Sequence, residues 1–264
     1  MVRLDAVTDT RAATRAHYDR WPYDFDTPLH APMQLSGSLL GEALREVPRD
    51  ATIIDVGCGT GLVSRLARAQ VPQATVVGVD LSLGSLRRVR ASDPSIALAE
   101  GDNLSLPVRT GAAALVVSRG VIMTTPDPRR AFAELVRITR PGGRLFVRVY
   151  NRDNPYRFVY EVLGGICRAV ARLPGGRALL AVTVYPLFLL ALQIGCLLVA
   201  GRMTRFPRGA GWNLFADQLL TPHNSFHTVE EVIGWGREEG LRCVAHQAIT
   251  LGQQIEFVFE KDAR

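Results

Sequence analysis

The chain has 264 residues, 47% of them hydrophobic, which is enough for one large α/β domain with an elaborated cap. Its formal charge of +6 and pI near 9.5 permit an acidic partner or an anionic membrane surface, and are equally consistent with plain solubility. The arginines are scattered, with no basic helix, no zinc spacing and no stripe of aromatics among basic residues, which argues against nucleic-acid binding.

The four cysteines, Cys58, Cys167, Cys196 and Cys243, show no C-x-x-C spacing. Arg3, Asp5 and Asp9 do not suit a signal peptide, so the expectation is a cytoplasmic chain with free thiols. Residues 1–50 read as an N-terminal helical cap. It is dense in aromatics from His17 to Phe25 and broken at Pro22. These rings either dock the segment on the core or reach a ligand.

Next comes Ile53-Ile54-Asp55-Val56-Gly57-Cys58-Gly59-Thr60-Gly61, an apolar run that ends in an acid and a three-glycine turn. Leu62, Val63, Leu66 and Ala67 then recur at helical spacing, so the stretch reads as strand, tight loop, helix. Glycines allow close backbone approach, and the helix start is expected to aim free N–H groups at the same place. The spacing is G-x-G-x-G, which differs from the dinucleotide fingerprint, and no Gly-Lys-Ser/Thr follows. Cys58 reads as a small loop residue, since no histidine lies near it in sequence.

From Asp55 to Gly61 the chain resembles the first motif of class I S-adenosylmethionine-dependent methyltransferases of the small-molecule kind. The resemblance covers residues 50–150 well and 214–260 more loosely. It implies a doubly wound, mostly parallel seven-stranded sheet with the ligand beyond the carboxyl ends of the strands. It also implies S-adenosyl-L-methionine as cofactor, with Asp55 by its amino-acid end and Gly57, Cys58, Gly59 and Gly61 letting the backbone approach. In that family an N-terminal helix often closes over the cofactor, and Tyr18 and Tyr23 are the candidate rings.

Thr75–Asp80 is the second strand. Its terminal acid suits a ribose, because a carboxylate can accept from two hydroxyls at once. Leu81 follows it, and Ser82 is an N-cap for the helix carrying Leu83, Leu86 and Val89. Ile96–Glu100 is a short third strand ending at Gly101-Asp102-Asn103. The resemblance implies that Asp102 accepts from the adenine amino group and that Asn103 supplies a backbone N–H; a bare Asx turn is the simpler reading. Ala113–Val117 is a continuous apolar strand, as a buried parallel strand should be, and Ser118 joins the implied cofactor set. Relatives commonly carry histidines where Met123 and Thr124 stand, so no base is expected there and the pocket should be less polar. Residues 129–139 form an amphipathic helix, Arg140-Pro141-Gly142-Gly143 stops it, and Arg144–Tyr150 is the fifth strand.

The departure from the family is residues 151–213, a hydrophobic helical insertion after the fifth strand. Phe158–Leu173 reads as one helix. Ala178–Ala200 then runs 23 residues without a charge, flanked by Arg177 and Arg202. Three readings stand open: a buried lid or dimer helix, a hairpin dipped into one leaflet, or a true span. The last two strands, near 241–248 and 254–260, must return to the sheet, which argues against one crossing.

Residues 214–264 complete the sheet with a helix and a strand pair, leaving 51–150 as the cofactor-binding core. Thr228 and Glu231 match a capping box. His223 and His227 are candidate bases facing the acceptor, against the simpler reading of His227 as a residue that fixes the loop. No metal is expected.

Together these features predict methyl transfer to a hydrophobic acceptor: a lipid, a quinone-like ring or a secondary metabolite. A non-catalytic module that uses the insertion to contact membrane or protein is the alternative, and a homodimer is compatible with either. A nicotinamide oxidoreductase is disfavoured by the loop spacing and the Gly101-Asp102 turn.

Overall fold

A computed structural model describes residues 4–22, 38–203, 205–206 and 209–263. Helix α1 (Leu4–Arg20) and α2 (Leu39–Arg45) lead into β1 (Thr52–Val56), α3 (Leu62–Gln70), β2 (Thr75–Asp80), α4 (Leu83–Ser92), β3 (Ala97–Glu100) and β4 (Ala113–Arg119). A 3-10 turn at Ile122–Thr124 precedes α5 (Pro128–Ile138) and the long β5 (Thr139–Asn151). Then come α6 (Tyr156–Phe158), α7 (Gly164–Ala171), α8 (Gly176–Val182), α9 (Val184–Ala200) and α10 (Ala210–Phe215). The chain finishes with β6 (Phe226–His227), α11 (Val229–Glu238), β7 (Leu241–Ile249) and β8 (Gln254–Lys261).

Seven strands form a sheet in the order β3-β2-β1-β4-β5-β8-β7, and the two-residue β6 pairs with β5 off that path. The first five are parallel, and β8 and β7 close the edge antiparallel. Side chains alternate across the sheet, as the strand period demands. Ile53, Leu115, Val117 and Phe146 face α2, α3 and α4, while Ile54, Val116, Leu145 and Val147 face α5 and α11. Both faces are covered, which is why these strands read as continuous apolar runs. Strand order reverses between β1 and β4, and a crevice opens beyond the strand ends at that point.

Helix ends follow the expected capping chemistry. Ser82 Oγ accepts from the Ser85 N–H at 3.0 Å and donates to Asp19 of α1 at 2.5 Å. Ser82→Ala should therefore lower stability by about 1–2 kcal/mol through loss of the cap, read as a lower urea midpoint for the full chain. Thr228 caps α11 by accepting from the Glu231 N–H. Glu231 does not reach back as a capping box would. Its carboxylate instead accepts from Arg152 on Oε2 and from the His227 ring on Oε1, one partner on each oxygen.

The insertion differs from the expected single apolar helix in two ways. It breaks between α8 and α9, because Pro186 has no N–H and its ring excludes the carbonyl four residues earlier. The preceding helix, expected as Phe158–Leu173, runs from Tyr156 to Ala171 and widens into a π turn at Val159–Leu163. A second π turn, Ala216–Leu220, follows α10 and packs against α7 through Cys167, Leu219 and Leu220.

Candidate active site

The glycine loop is held by the end of β2. Gly57 and Cys58 N–H groups donate to Val79 O at 2.7 and 3.0 Å, Gly59 N–H to Asp80 Oδ2 at 2.8 Å, and Gly61 N–H to Cys58 O at 2.8 Å. These four loop donors are used within the protein. The loop contributes close approach: Gly57 has φ +73°, and a Cβ on it would stand 2.4 Å from Val121.

Three acids gather at the carboxyl ends of adjacent strands: Asp55 near the end of β1, Asp80 at the end of β2 and Asp102 just after β3. Asp55 is buried and accepts from Ser64 Oγ at 2.6 Å. Burial lifts its carboxyl to about 6, against the pull of the Ser64 hydroxyl and the Arg119 guanidinium. Asp80 Oδ1 accepts from the Ser82 N–H at 2.8 Å while Oδ2 holds the loop, and burial raises its pKa too. Asp102 Oδ1 accepts from the Leu104 N–H, forming the Asx turn, and Oδ2 pairs with Arg11 at 3.2 Å.

Helix α1 roofs this crevice. Arg15 Nε donates to Leu81 O at 3.0 Å and its guanidinium pairs with Glu100. Arg11, Thr14 and Tyr18 face the cavity along with Asp55, Gly57, Cys58, Gly59, Asp80, Leu81, Asp102 and Asn103. Gly61 and Ser118 lie outside the lining: Gly61 begins α3 against Val89, and Ser118 is fully buried in β4. Tyr23 lies outside the described residues. Burial pushes the Cys58 thiol far up, so it stays protonated and is no nucleophile.

Neither candidate histidine lines the cavity. His227 is buried behind it, bonded to Ser225 Oγ at 2.8 Å and Glu231 Oε1 at 3.1 Å and edge-on to Trp235. It fixes the loop ahead of α11. His223 is half-buried, and burial lowers its pKa.

The carboxylate that does reach the far end of the cavity is Asp217, on the second π turn. It accepts from Tyr18 OH at 3.2 Å and from Gln218 Nε2 at 2.9 Å, and burial lifts its carboxyl to about 6. Tyr150 stands near it, Val121, Met123 and Pro126 add apolar surface to the same lining, and Asn224 Oδ1 there is buried and unpartnered. Arg119 and Arg148 also enter the lining, and Arg148 is buried in an ion pair with Glu256. Sequence reasoning missed Asp217, Asn224 and both arginines. Asp217 had one faint signal, a lone acid between apolar Phe215, Ala216, Leu219 and Leu220.

Comparison with known proteins matches residues 54–147 to a family described as a methyltransferase domain. The chain is 39% identical over 111 residues to the malonyl-[acyl-carrier protein] O-methyltransferase of Hahella chejuensis, covering 40% of each chain. It is 30% identical over 220 residues to the trans-aconitate 2-methyltransferase of Methylobacterium radiotolerans, covering 78% of this chain and 74% of that one. It thus spans less than half the length of the first relative and about three quarters of the second. Among solved structures it shares the fold of a methyltransferase in complex with the Haloferax volcanii Trm112 activator. The TM-score there is 0.57 at 15% identity, covering 99% of this chain and 100% of that one.

Proposed function

The chain belongs to the class I S-adenosylmethionine-dependent methyltransferases, and from that premise we propose that it methylates a hydrophobic small-molecule acceptor: a lipid, a quinone-like ring or a secondary metabolite. The observation that carries this reading is the division of one cavity into two ends. One end holds Asp55, Asp80 and Asp102 around the glycine loop. The other holds Tyr18 and Tyr150 beside one buried carboxylate, Asp217, and the apolar Val121, Met123 and Pro126 share the same lining, with Val121 against Gly57.

The residues present fit the cofactor. Gly57, where a Cβ would collide with Val121, lets the loop lie close along the cavity, and the carboxylates in the lining suit an ammonium and a pair of hydroxyls. Asp55 would take the amino end, Asp80 the ribose, and Asp102 and Asn103 the adenine. Arg119 would take the carboxylate, since it already enters the lining within electrostatic reach of Asp55. When bound, the cofactor supplies a methyl group already activated by its sulfonium.

The protein's remaining tasks are alignment, exclusion of water and removal of one proton. Helix α1 covers the cavity, and the apolar side chains seat the acceptor. Asp217 then receives the acceptor's proton, from a site its bonds to Tyr18 and Gln218 hold in place.

Transfer of a radiolabelled methyl group into organic-extractable acceptors tests the reading. Label should enter quinols, phenols or lipids. Turnover confined to polar carboxylic acids would reject a hydrophobic acceptor.

A linkage follows from Asp55. A cationic ligand favours its ionised form, which predominates above about pH 6. Cofactor affinity should therefore rise as pH increases through 6 and level off above it. Calorimetry below pH 6 should show proton release on binding, reduced in Asp55→Asn; Asp80, also raised by burial, contributes in the same direction.

A further inference from the structure

The insertion presents an apolar surface that the other described residues leave exposed. Only 11% of its apolar window, Gly176–Leu198, is buried, so this is no core helix. Phe158, Val162 and Ile166 form an exposed stripe on α6–α7, and Leu187, Leu190 and Leu198 form another on α9. Apolar area of this extent marks a contact surface.

Charge identifies the partner. Residues 155–210 contain seven arginines and one acid, Glu161, which equals the chain's entire formal excess of +6. The remainder of the chain is balanced. The described arginines Arg172, Arg177, Arg202 and Arg205 are exposed around the apolar stripes. Two copies of such a face would repel each other, whereas an anionic bilayer offers hydrocarbon for the stripes and phosphate for the arginines.

The attachment of α9 sets the depth. One face of it is pinned to the body: Tyr185 packs edge-on to Trp212 and Phe188 to Phe215, α10 presses Gly211 against Tyr185 and Leu189, and Cys196 is fully buried, while Leu197 and Leu198 beyond it are exposed. From Leu189 to Ala200 the helix rises only ~16 Å, about half of a ~30 Å hydrocarbon core. Gly201, at φ +64°, ends the helix, and the chain is back on the body by Ala210. The strands on both sides of the insertion, β5 and β8, are paired in one sheet. A crossing is therefore excluded by geometry.

We propose that the described residues between 155 and 206 form a monotopic docking surface for an anionic membrane, with the exposed leucines at the end of α9 inserted into one leaflet. The proposal stands on this surface alone, independently of the acceptor.

Co-sedimentation of the full chain with phosphatidylcholine vesicles, with and without phosphatidylglycerol, tests it. Binding should require the anionic lipid and fall with salt. Arg202→Gln with Arg205→Gln should weaken it about 25-fold, about fivefold per arginine. Leu197→Gln with Leu198→Gln, both at exposed positions, should weaken it while the thermal melt stays native. Equal binding to neutral vesicles, absence of binding, or a salt-resistant dimer that hides the face in sedimentation velocity would each overturn the proposal.

Discussion

Asp80→Ala should reduce cofactor affinity by roughly two to three orders of magnitude while leaving the chain folded. The size follows from what the carboxylate does. In the structure it receives Gly59 N–H and Ser82 N–H, one on each oxygen, and so ties the glycine loop to the start of α4. Each oxygen keeps a lone pair toward the cavity for a ribose hydroxyl. Hydrogen bonds to a charged group contribute about 1.5–3 kcal/mol each, and removal also leaves the Gly59 N–H without its acceptor. Stability should change less than affinity, because loss of the carboxylate also relieves the burial that raises its pKa. Calorimetric titration of the variant beside a thermal melt provides the check. An affinity near that of the native protein in a folded variant would remove Asp80 from the ribose.

Asp217→Asn should lower kcat by roughly 10²–10⁴-fold with cofactor affinity nearly unchanged. The asparagine keeps the shape and one acceptor oxygen for Tyr18 but cannot take a proton. The pH profile separates a base from a merely structural acid. A base acts when ionised, so native kcat should climb as pH rises through about 6 and then level off, and the variant should lack that limb. Tyr18→Phe offers a contrast, since it removes one donor to Asp217 but leaves the carboxylate. An unchanged kcat in Asp217→Asn would mean that the acceptor loses its proton without help from the protein.

Much of the sheet could be read in advance. Ile53–Val56, Thr75–Asp80 and Ala113–Val117 are short apolar runs that end in turn chemistry, and doubly covered parallel strands have that pattern. The acids at 55, 80 and 102 were legible for the same reason, since the carboxyl ends of neighbouring parallel strands lie on one edge of the sheet. Asp217 was not. Its role depends on a π turn, which no local pattern announces, and on contact with Tyr18 199 residues away in sequence. His227 misled because a loop histidine ahead of a helix looks the same whether it faces a cavity or, as here, a glutamate and a tryptophan behind it. The insertion was legible as apolar, and Pro186 was there to announce its division at Thr183, but its exposure depends on how little of it α10 and the body cover.

Helix α1 is fastened at both ends of the cavity. Arg11, Arg15 and Asp19 bind Asp102, Glu100 and Ser82 at one end, while Tyr18 and His17 reach Asp217 and Thr221 at the other. A ligand that passes α1 on its way in or out breaks several of these contacts together. The consequence concerns time. Departure of the spent cofactor should set the pace of turnover, and salt, which loosens exposed ion pairs, should speed that departure before it touches the chemistry.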